Sequence, residues 1–299
     1  MRERIGGTEG TEGTEGTEGT EGTEGSQLSP VPQSPQSPQF PQFPQSPLVL
    51  SIILPVHNEA DNIGPLVDEI VAALQGRVPF EIVAVDDHSS DDTPRRLEEK
   101  ARTVVALRII RHGRNAGQST AVRSGVQFAR APLIATLDGD GQNDPADIPA
   151  LLDAYRARHA DKPLLIAGHR TDRRDTFVTR ASSKIANAVR GFMLKDRTPD
   201  TGCGLKLFER DTFLALPYFD HMHRFLPALV LRAGGEVMSV PVRHRPRTRG
   251  ASHYGIHNRL WVGLVDLCGV MWLTRRAKLP DAQEAGNRES AIGNREEHR

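Results

Sequence analysis

The sequence predicts an α/β fold in which a mostly parallel sheet is flanked by helices on both faces. Between residues 48 and 137, short apolar runs typical of buried strands alternate with stretches of helical spacing. A polar cluster follows each of the strands predicted in this region, at the edge where such sheets bind ligands. Together these observations favour a ligand-binding α/β domain.

The first predicted strand is the apolar run over residues 48–54, which Pro55 ends. A helix is predicted over residues 62–74, with Pro65 in its first turn. The alternation continues with a strand over 81–85, a helix from Thr93, a strand over 107–110, a helix over 119–130 and a strand over 133–137. Strands connected through helices pair in parallel, so their carboxyl ends should lie at one edge of the sheet.

Both ends of the chain have compositions that do not build a core. Residues 1–47 repeat Thr-Glu-Gly and then Pro-Gln units, and residues 281–299 are polar, so both are predicted to be disordered tails. The formal net charge of the chain is zero, but the part between the tails carries about seven excess positive charges. They are concentrated between residues 170 and 249, which favours an anionic substrate or membrane surface over a merely solvated basic face.

The two cysteines, Cys203 and Cys268, are too few for a disulfide framework and lack the spacing of a metal site. No hydrophobic segment follows the first residues, as it would in a secretory signal. A cytoplasmic location is therefore expected.

The polar clusters lie at residues 57–59, 86–88, 114–117 and 138–140, after the first, second, third and fourth predicted strands. Ordinary turn chemistry explains any one of them, because Asp, Asn and Gly dominate turns. Four clusters at one edge of a sheet indicate a binding site.

Asp138, Asp140 and Gln142 place two carboxylates and an amide oxygen on alternate residues after a buried strand. Hard divalent cations take oxygen ligands, and Mg²⁺ or Mn²⁺ is often held by one or two carboxylates together with substrate phosphates. The later ligands of a calcium EF-hand loop are missing, as are a P-loop and the glycine pattern of a dinucleotide-binding fold. The spacing thus favours a cation that bridges a diphosphate.

Six motifs appear in the order in which one known family has them: ILPVHNE (53–59), VDDHSSDDT (85–93), RNAG (114–117), DGDGQNDP (138–145), DTGCGLK (200–206) and HRFLP (223–227). With them the chain resembles the family 2 glycosyltransferases of GT-A fold, and within these the polyprenyl-phosphate branch typified by dolichyl-phosphate mannose synthase. The resemblance covers about residues 48 to 278. It implies a Rossmann-like GT-A domain over residues 48–255.

The resemblance also implies roles for individual residues. The donor pocket would be lined by Pro55, Val56, Glu59, Asp86, Asp87, Asn115, Gly117, Asp138 and Arg249, with Asp87 accepting a hydrogen bond from the base. Asp138, Asp140 and Gln142 would bind Mg²⁺ or Mn²⁺, and Asp138, Asp140 and Arg180 would be the catalytic residues.

Arg170, Arg180 and Ser183 would grip the acceptor phosphate, although an exposed helix face is the alternative for Arg180 and Ser183. Residues 244–255 resemble a loop that closes over the diphosphate. Relatives commonly have Lys where His253 stands, so a weaker or pH-dependent contact is expected there.

The implied activity is metal-dependent inverting transfer of a sugar from GDP-mannose or a UDP-sugar to a polyprenyl phosphate, with no nucleic-acid partner. A phosphate monoester is largely ionised near neutrality and needs no general base. A hydroxyl acceptor would need one, and Asp220, otherwise a helix N-cap, is the candidate. The alternatives are therefore a transferase acting on a hydroxyl and a catalytically silent nucleotide-sugar-binding scaffold at the membrane.

Residues 260–273 form an apolar stretch interrupted by Asp266, about 21 Å long as a helix and too short to cross a membrane. Trp261 and Trp272 would share one face of this helix, and three basic residues follow. Residues 256–280 are therefore predicted to be an amphipathic helix at the inner membrane surface, with a buried core helix as the alternative.

Overall fold

The computed structural model describes residues 47–158, 162–171, 190–191, 193–196, 198–246 and 256–278; for residues 256–261 it describes the backbone alone. The strands are β1 Leu50–Val56, β2 Phe80–Asp86, β3 Leu107–Arg111, β4 Leu133–Thr136, β5 Leu164–Arg170, β6 Lys206–Glu209 and β7 Glu236–Val242. The helices are α1 Ala60–Leu74, α2 Thr93–Thr103, α3 Gln118–Phe128, α4 Ile148–Arg156, α5 Arg210–Ala215, α6 Leu226–Arg232 and α7 Ile256–Arg275. Short 3-10 turns lie at Pro145–Asp147 and Met222–Arg224.

The strands form one mixed sheet in the order β3-β2-β1-β4-β6-β5-β7. β1 pairs in parallel with β2 and β4, and β2 pairs in parallel with β3. This arrangement confirms the predicted α/β class and brings the carboxyl ends of the first four strands to one edge. β6 runs antiparallel between β4 and β5, which makes the sheet mixed in its second half.

Helices cover both faces of the sheet, because alternate residues of each central strand face opposite sides. Ile52 and Leu54 of β1 belong to a core cluster that also contains buried residues of α1, α2 and α4. Ile53 belongs to a second cluster with residues of α3, α6 and α7. At Gly125 of α3 a β-carbon would lie 2.4 Å from the Ile53 side chain, so this helix packs directly on the strand.

The predicted elements of the first half are present, with shifted ends. α1 begins at Ala60 because the N–H groups of Asn62 and Ile63 bond to the Glu59 carbonyl oxygen. Pro65 therefore lies inside the helix, and its predicted place in the first turn is wrong. β1 continues through Pro55 to Val56, which is tolerated because Pro55 follows Ile53, the last residue paired with β4.

α7 spans 20 residues, about 30 Å, and lies within residues 256–280, where a helix was predicted. It extends beyond the apolar stretch of residues 260–273 at both ends. Leu267 and Val270 are buried in the second core cluster, and Val265 and Trp272 are 55% and 59% exposed. One face of α7 thus packs on the domain, while apolar side chains lie on its outer surface.

Candidate active site

The ends of the parallel strands carry the predicted polar clusters, and hydrogen bonds connect these clusters across the sheet edge. After β1, the ring of His57 lies 2.9 Å from the Asp87 carbonyl oxygen and 3.2 Å from the Asn115 side-chain amide. After β4, Asp138 Oδ1 accepts a hydrogen bond of 2.8 Å from Gln118 at the start of α3. The four clusters therefore form one continuous polar surface.

Asp87, buried at the end of β2, holds the loop between β3 and α3. Its Oδ1 accepts from the Ala116 N–H at 2.9 Å and lies 2.7 Å from His112 Nδ1, while its Oδ2 accepts from the Gly117 N–H at 2.7 Å. These contacts engage both oxygens of the carboxylate within the protein. The predicted contact with the donor base would thus add to a structural role that the sequence did not reveal.

Asp86 and Glu59 are also buried beside this surface. Asp86 Oδ1 accepts from the Ser89 N–H at 3.0 Å and so shapes the loop that leads to α2. Glu59 precedes α1, where its N–H donates to Thr93 Oγ1 at 2.9 Å and its carboxylate accepts from the Asn62 side chain. Both carboxylates lie at the predicted nucleotide-binding edge.

The loop after β4 approaches β1 closely. A β-carbon at Gly139 would lie 3.0 Å from the Pro55 carbonyl oxygen, and one at Gly204 would lie 2.2 Å from Asp138 Oδ2. A side chain at position 204 would displace the Asp138 carboxylate, and one at position 139 would press on the backbone of β1. Pro55 and Val56, predicted to line the donor pocket, border this loop.

Asp138 and Asp140 form an electrostatically unfavourable pair. Burial, followed by the negative charge of Asp140, raises the pKa of Asp138 to about 6. Asp140 Oδ1 accepts from the Gln142 N–H at 3.1 Å, which folds the three predicted ligands into one turn. A bound cation would relieve the repulsion between the two carboxylates.

The oxygen donors of this turn fit a hard divalent cation. Among the described residues, no group of three His, Cys, Asp or Glu side chains forms a complete metal site. Two carboxylates and an amide nevertheless match the way Mg²⁺ is usually bound, since substrate phosphates and waters complete its coordination.

A buried charged cluster lies behind Asp138, in the segment that carries the DTGCGLK motif. Lys206 of β6 is 4% exposed and donates to the Cys203 carbonyl oxygen, and burial lowers its pKa. Its positive charge favours the ionised form of Asp138. Sequence reasoning assigned no role to Lys206, although a lysine within an apolar strand is an unusual feature.

Arg170, predicted to bind the acceptor phosphate, forms a bidentate ion pair with Asp200: its Nε and Nη2 donate to the two carboxylate oxygens at 2.7 and 2.8 Å. The Nη1 group takes no part in this pair, so the guanidinium retains donors for a phosphate. Arg180, Ser183, Arg249 and His253, also predicted for the site, lie outside the described residues.

His223 of the HRFLP motif is a neutral residue beside α3. Ser119 Oγ accepts from the His223 N–H at 3.3 Å and also lies 2.7 Å from Nδ1 of the ring, so Ser119 holds both the backbone and the imidazole of His223. Burial, together with the charges of Lys206 and Arg224, holds the pKa of His223 well below its usual value.

Asp220, the candidate base of the hydroxyl-acceptor alternative, lies near Gly117: a β-carbon there would be 3.7 Å from Asp220 Oδ1. This oxygen accepts from the N–H of the next residue, His221, at 2.8 Å, and the side chain is 64% exposed. Asp220 therefore borders the candidate site.

The family model described as "Glycosyl transferase family 2" matches residues 51–216, which include all but the first residue of β1, all of β2 to β6 and the DGDGQNDP motif. The chain is a member of glycosyl transferase family 2. A dodecaprenyl-phosphate galacturonate synthase from Rhizobium johnstonii is 36% identical over 238 residues, covering 78% of this chain and 69% of the relative. An undecaprenyl-phosphate 4-deoxy-4-formamido-L-arabinose transferase from Edwardsiella ictaluri is 32% identical, covering 69% of this chain and 63% of the relative.

Solved structures support the GT-A fold of this family 2 glycosyltransferase. Mannosyl-3-phosphoglycerate synthase from Rubrobacter xylanophilus superposes with a TM-score of 0.60 at 20% identity, covering 81% of this chain and 79% of that one. Glucosyl-3-phosphoglycerate synthase from Mycobacterium tuberculosis, solved with Mn²⁺, UDP and phosphoglyceric acid, gives 0.55 at 17% identity, covering 79% and 80%. At these identities the likeness concerns the fold alone.

Across the described part of this family 2 glycosyltransferase, no helix combines the length and the hydrophobicity that a membrane crossing requires. In α7, Asp266 interrupts the apolar stretch and its carboxylate lies 3.1 Å from His221 Nδ1. This contact ties the helix to the loop that borders the site.

Proposed function

We propose that this family 2 glycosyltransferase transfers a sugar from a nucleoside diphosphate to a polyprenyl phosphate. The observation that carries the proposal is that the two relatives named above share an acceptor class, a polyprenyl phosphate, while their names specify different sugars. The donor's base and sugar are therefore left open between GDP-mannose and a UDP-sugar. The chain matches 69% and 63% of those relatives' lengths, so the activity of the whole protein is part of the proposal.

The proposed reaction is a single displacement that inverts the anomeric carbon. An oxygen of the acceptor phosphate forms a bond to this carbon, while the bond to the β-phosphate oxygen of the donor breaks. The nucleoside diphosphate leaves with the electron pair. An ionised phosphate provides the nucleophile without a general base.

The paired carboxylates support a metal-dependent version of this reaction. Asp138, Asp140 and Gln142 would hold Mg²⁺ or Mn²⁺, which would neutralise charge on the leaving diphosphate, an effect worth several kcal/mol. Gln118 orients Asp138 through the bond to its Oδ1, and Lys206 favours its ionised form. The chain's own contribution is thus to hold two carboxylates ready for the cation.

For the acceptor, we propose that Arg170, Arg180 and Ser183 bind the phosphate. Arg170 is held against Asp200 with part of its guanidinium uncommitted to that pair. Replacing Arg180 with alanine should weaken acceptor use far more than donor binding, because the side chain would contact the phosphate of the lipid.

We further propose that residues 48–255 form the transferase domain and that residues 256–280 contact the inner, cytoplasmic membrane surface. The tails predicted over residues 1–47 and 281–299 lie outside the described residues, except for residue 47. Exposed Val265 and Trp272 support the membrane contact, as do the basic residues Arg275, Arg276 and Lys278 that follow them. The protein would associate peripherally, beside its lipid acceptor.

The test is transfer by the purified full chain with Mn²⁺ or Mg²⁺, using labelled nucleotide sugars one at a time. Polyprenyl phosphate and the matching polyprenol serve as paired acceptors, and the lipid product is extracted and counted. Labelled product is expected on the phosphate alone. Product on the polyprenol or on a saccharide would favour the hydroxyl-acceptor alternative, for which Asp220 is the candidate base.

Hydrolysis of the nucleotide sugars by the same protein with Mn²⁺ separates the scaffold alternative from both transferases. A chain that binds a nucleotide sugar but neither transfers nor hydrolyses any of them would contradict the proposed activity.

A further inference from the structure

Two arginines that follow β7 form an ion-pair cluster beside residues 138–142, the segment that carries the proposed cation ligands and that we call the metal loop. Arg245 Nη1 lies 2.6 Å from Glu69 Oε2 of α1, and its Nη2 lies 2.8 Å from Asp144 Oδ1. Arg243 lies 3.1 Å from the other oxygen of Asp144 and 2.9 Å from Asp147. We call these five residues, Glu69, Asp144, Asp147, Arg243 and Arg245, the anchoring network.

The anchoring network is connected to the metal loop through the main chain. The Arg245 N–H donates to the Gln142 carbonyl oxygen at 2.9 Å, and Asn143 and His244 form an antiparallel bridge. Gln142 is one of the proposed metal ligands. The main chain of His244 and Arg245 therefore holds the backbone of the metal loop, while the side chain of Arg245 joins the anchoring network.

Asp144 is the carboxylate that both arginines of the network contact. Its side chain is 8% exposed, and its Oδ1 accepts from the Ala146 N–H at 3.0 Å as well as pairing with Arg245. A carboxylate this buried is stable only when paired and hydrogen-bonded. Moving either arginine away would leave it short of partners, so the network favours a single arrangement of the loop.

The sequence of the metal loop does not by itself restrict its backbone to one conformation, so contacts from outside the loop are needed to hold it. Gly139 and Gly141 flank Asp140, and Gly141 has a φ of +70°, a conformation that other residues rarely adopt. The charges of Asp138 and Asp140 also repel each other. A glycine-rich turn that carries two like charges would otherwise spread when no cation is bound.

We propose that Arg245, assisted by Arg243, is a positioning residue for the divalent cation, holding the turn over residues 140–142 in its metal-binding arrangement. The inference rests on the metal-dependent function proposed above. Groups that orient metal ligands typically change metal affinity by about 10-fold or more when removed. A merely structural ion pair would instead lower the melting temperature without altering metal binding.

Arg95 of α2 provides a matched control. It also pairs with two carboxylates, Asp92 and Glu99, and its side chain is more exposed than that of Arg245. It lies on a helix that packs on α1, β2 and β3, away from β4. Replacing it removes a comparable ion-pair cluster from a surface unrelated to the metal loop.

The experiment measures Mn²⁺ binding by electron paramagnetic resonance of the free ion, with the full chain and UDP or GDP present. Arg245→Ala should bind Mn²⁺ about 10-fold more weakly than the wild type, and Arg95→Ala should bind like the wild type. In the transfer assay, Arg245→Ala should need about 10-fold more Mn²⁺ for half-maximal rate but approach the wild-type kcat at saturating metal.

Glu69→Gln, compared with Glu99→Gln, extends the test to a partly exposed surface position at which unfolding is not expected. It should weaken Mn²⁺ binding in the same direction and by less, because the amide oxygen still accepts from Arg245. If Arg245→Ala and Glu69→Gln both bind Mn²⁺ as tightly as their controls, the positioning role is wrong. If the wild type itself binds no Mn²⁺ with either nucleotide, the proposed metal-dependent function fails and this inference fails with it.

Discussion

At the scale of single residues, Asp138 combines a functional placement with an energetic cost. Its carboxylate is enclosed between Gly204, Gln118 and the neighbouring Asp140, and its pKa rises to about 6. An unfolded chain would give this group its ordinary pKa of 3.8. The metal-free folded protein therefore binds the Asp138 proton more tightly than the unfolded chain does.

This difference sets the sign of a pH dependence. Between about pH 4 and 6 the folded state holds more protons, so the contribution of Asp138 to the free energy of unfolding falls as pH rises through this interval. Above about pH 6 the destabilisation caused by the charged Asp138 carboxylate no longer changes with pH. Asp138→Asn should accordingly raise the melting temperature of the metal-free protein at pH 7.5, by roughly 4 °C, and the gain should disappear near pH 4.

The measurement is thermal unfolding in the presence of a chelator, at several pH values. Asp153→Asn is the control, because Asp153 is 77% exposed on α4 and should show no comparable gain. If the wild type and Asp138→Asn have the same melting temperature at pH 7.5, the charged Asp138 carboxylate does not destabilise the metal-free fold.

Asp140→Asn tests the metal role directly. Asparagine keeps the size of the side chain and an oxygen that accepts from the Gln142 N–H, so the fold should be preserved. The site loses a charged ligand, and transfer should fall by at least about 100-fold, in line with the several kcal/mol that a metal contributes. Chelation of the wild type should have the same effect; full rate in excess chelator would show that no metal is needed.

At the scale of elements, α7 has two apolar faces with different surroundings. Leu267 and Val270, which are 8% and 1% exposed, pack with residues of α6 and the sheet. Val265 and Trp272 lie on the outer surface, and the Arg276 guanidinium lies 5.8 Å from the centre of the Trp272 ring. The inner face of α7 therefore belongs to the core, and the outer face is the one available for the proposed membrane contact.

Replacing Val265 and Trp272 together with serine should release the protein from anionic vesicles, since apolar area and basic residues both contribute to interfacial binding. The melting temperature should change little, because both side chains are exposed in the free protein. Sedimentation with vesicles measures the binding, and transfer to a short, detergent-soluble polyprenyl phosphate should be spared.

Leu267→Ala is the matched change on the inner face and should destabilise the fold by about 2 to 5 kcal/mol. Its residual folded population should still sediment with vesicles. If the outer-face double variant remained vesicle-bound, another surface would have to hold the protein at the membrane. Trp261, which the sequence placed on the same face as Trp272, lies where only the backbone is described.

At the scale of the whole molecule, the first strand, β1, begins at Leu50, shortly after the Pro-Gln tract. Removing residues 1–46 should leave transfer activity and melting temperature unchanged, because Thr-Glu-Gly and Pro-Gln repeats offer no apolar face to bury. Calorimetry and the transfer assay compare the truncated and full chains. A drop of several degrees would indicate that part of this segment packs against the domain.

The first half of the sheet was predictable because its signals are local. Largely apolar runs such as residues 48–54 favour strands buried on both faces, and the helical stretches between them favour parallel pairing. The antiparallel insertion of β6 between β4 and β5 was not predictable. Strand order depends on contacts between residues such as Ala135 and Leu207, which are far apart in the sequence.

For the candidate site, the sequence by itself determined which residue types stand at the strand ends and that they resemble a sugar-nucleotide transferase. The tertiary structure alone decided how those residues are used. It gave Asp87 three partners from the β3–α3 loop, engaged Arg170 with Asp200, and placed Lys206 behind Asp138. Pairings of this kind arise from the distances between side chains of distant segments, and the cost of burying an unpaired charge selects among them only once the chain is folded.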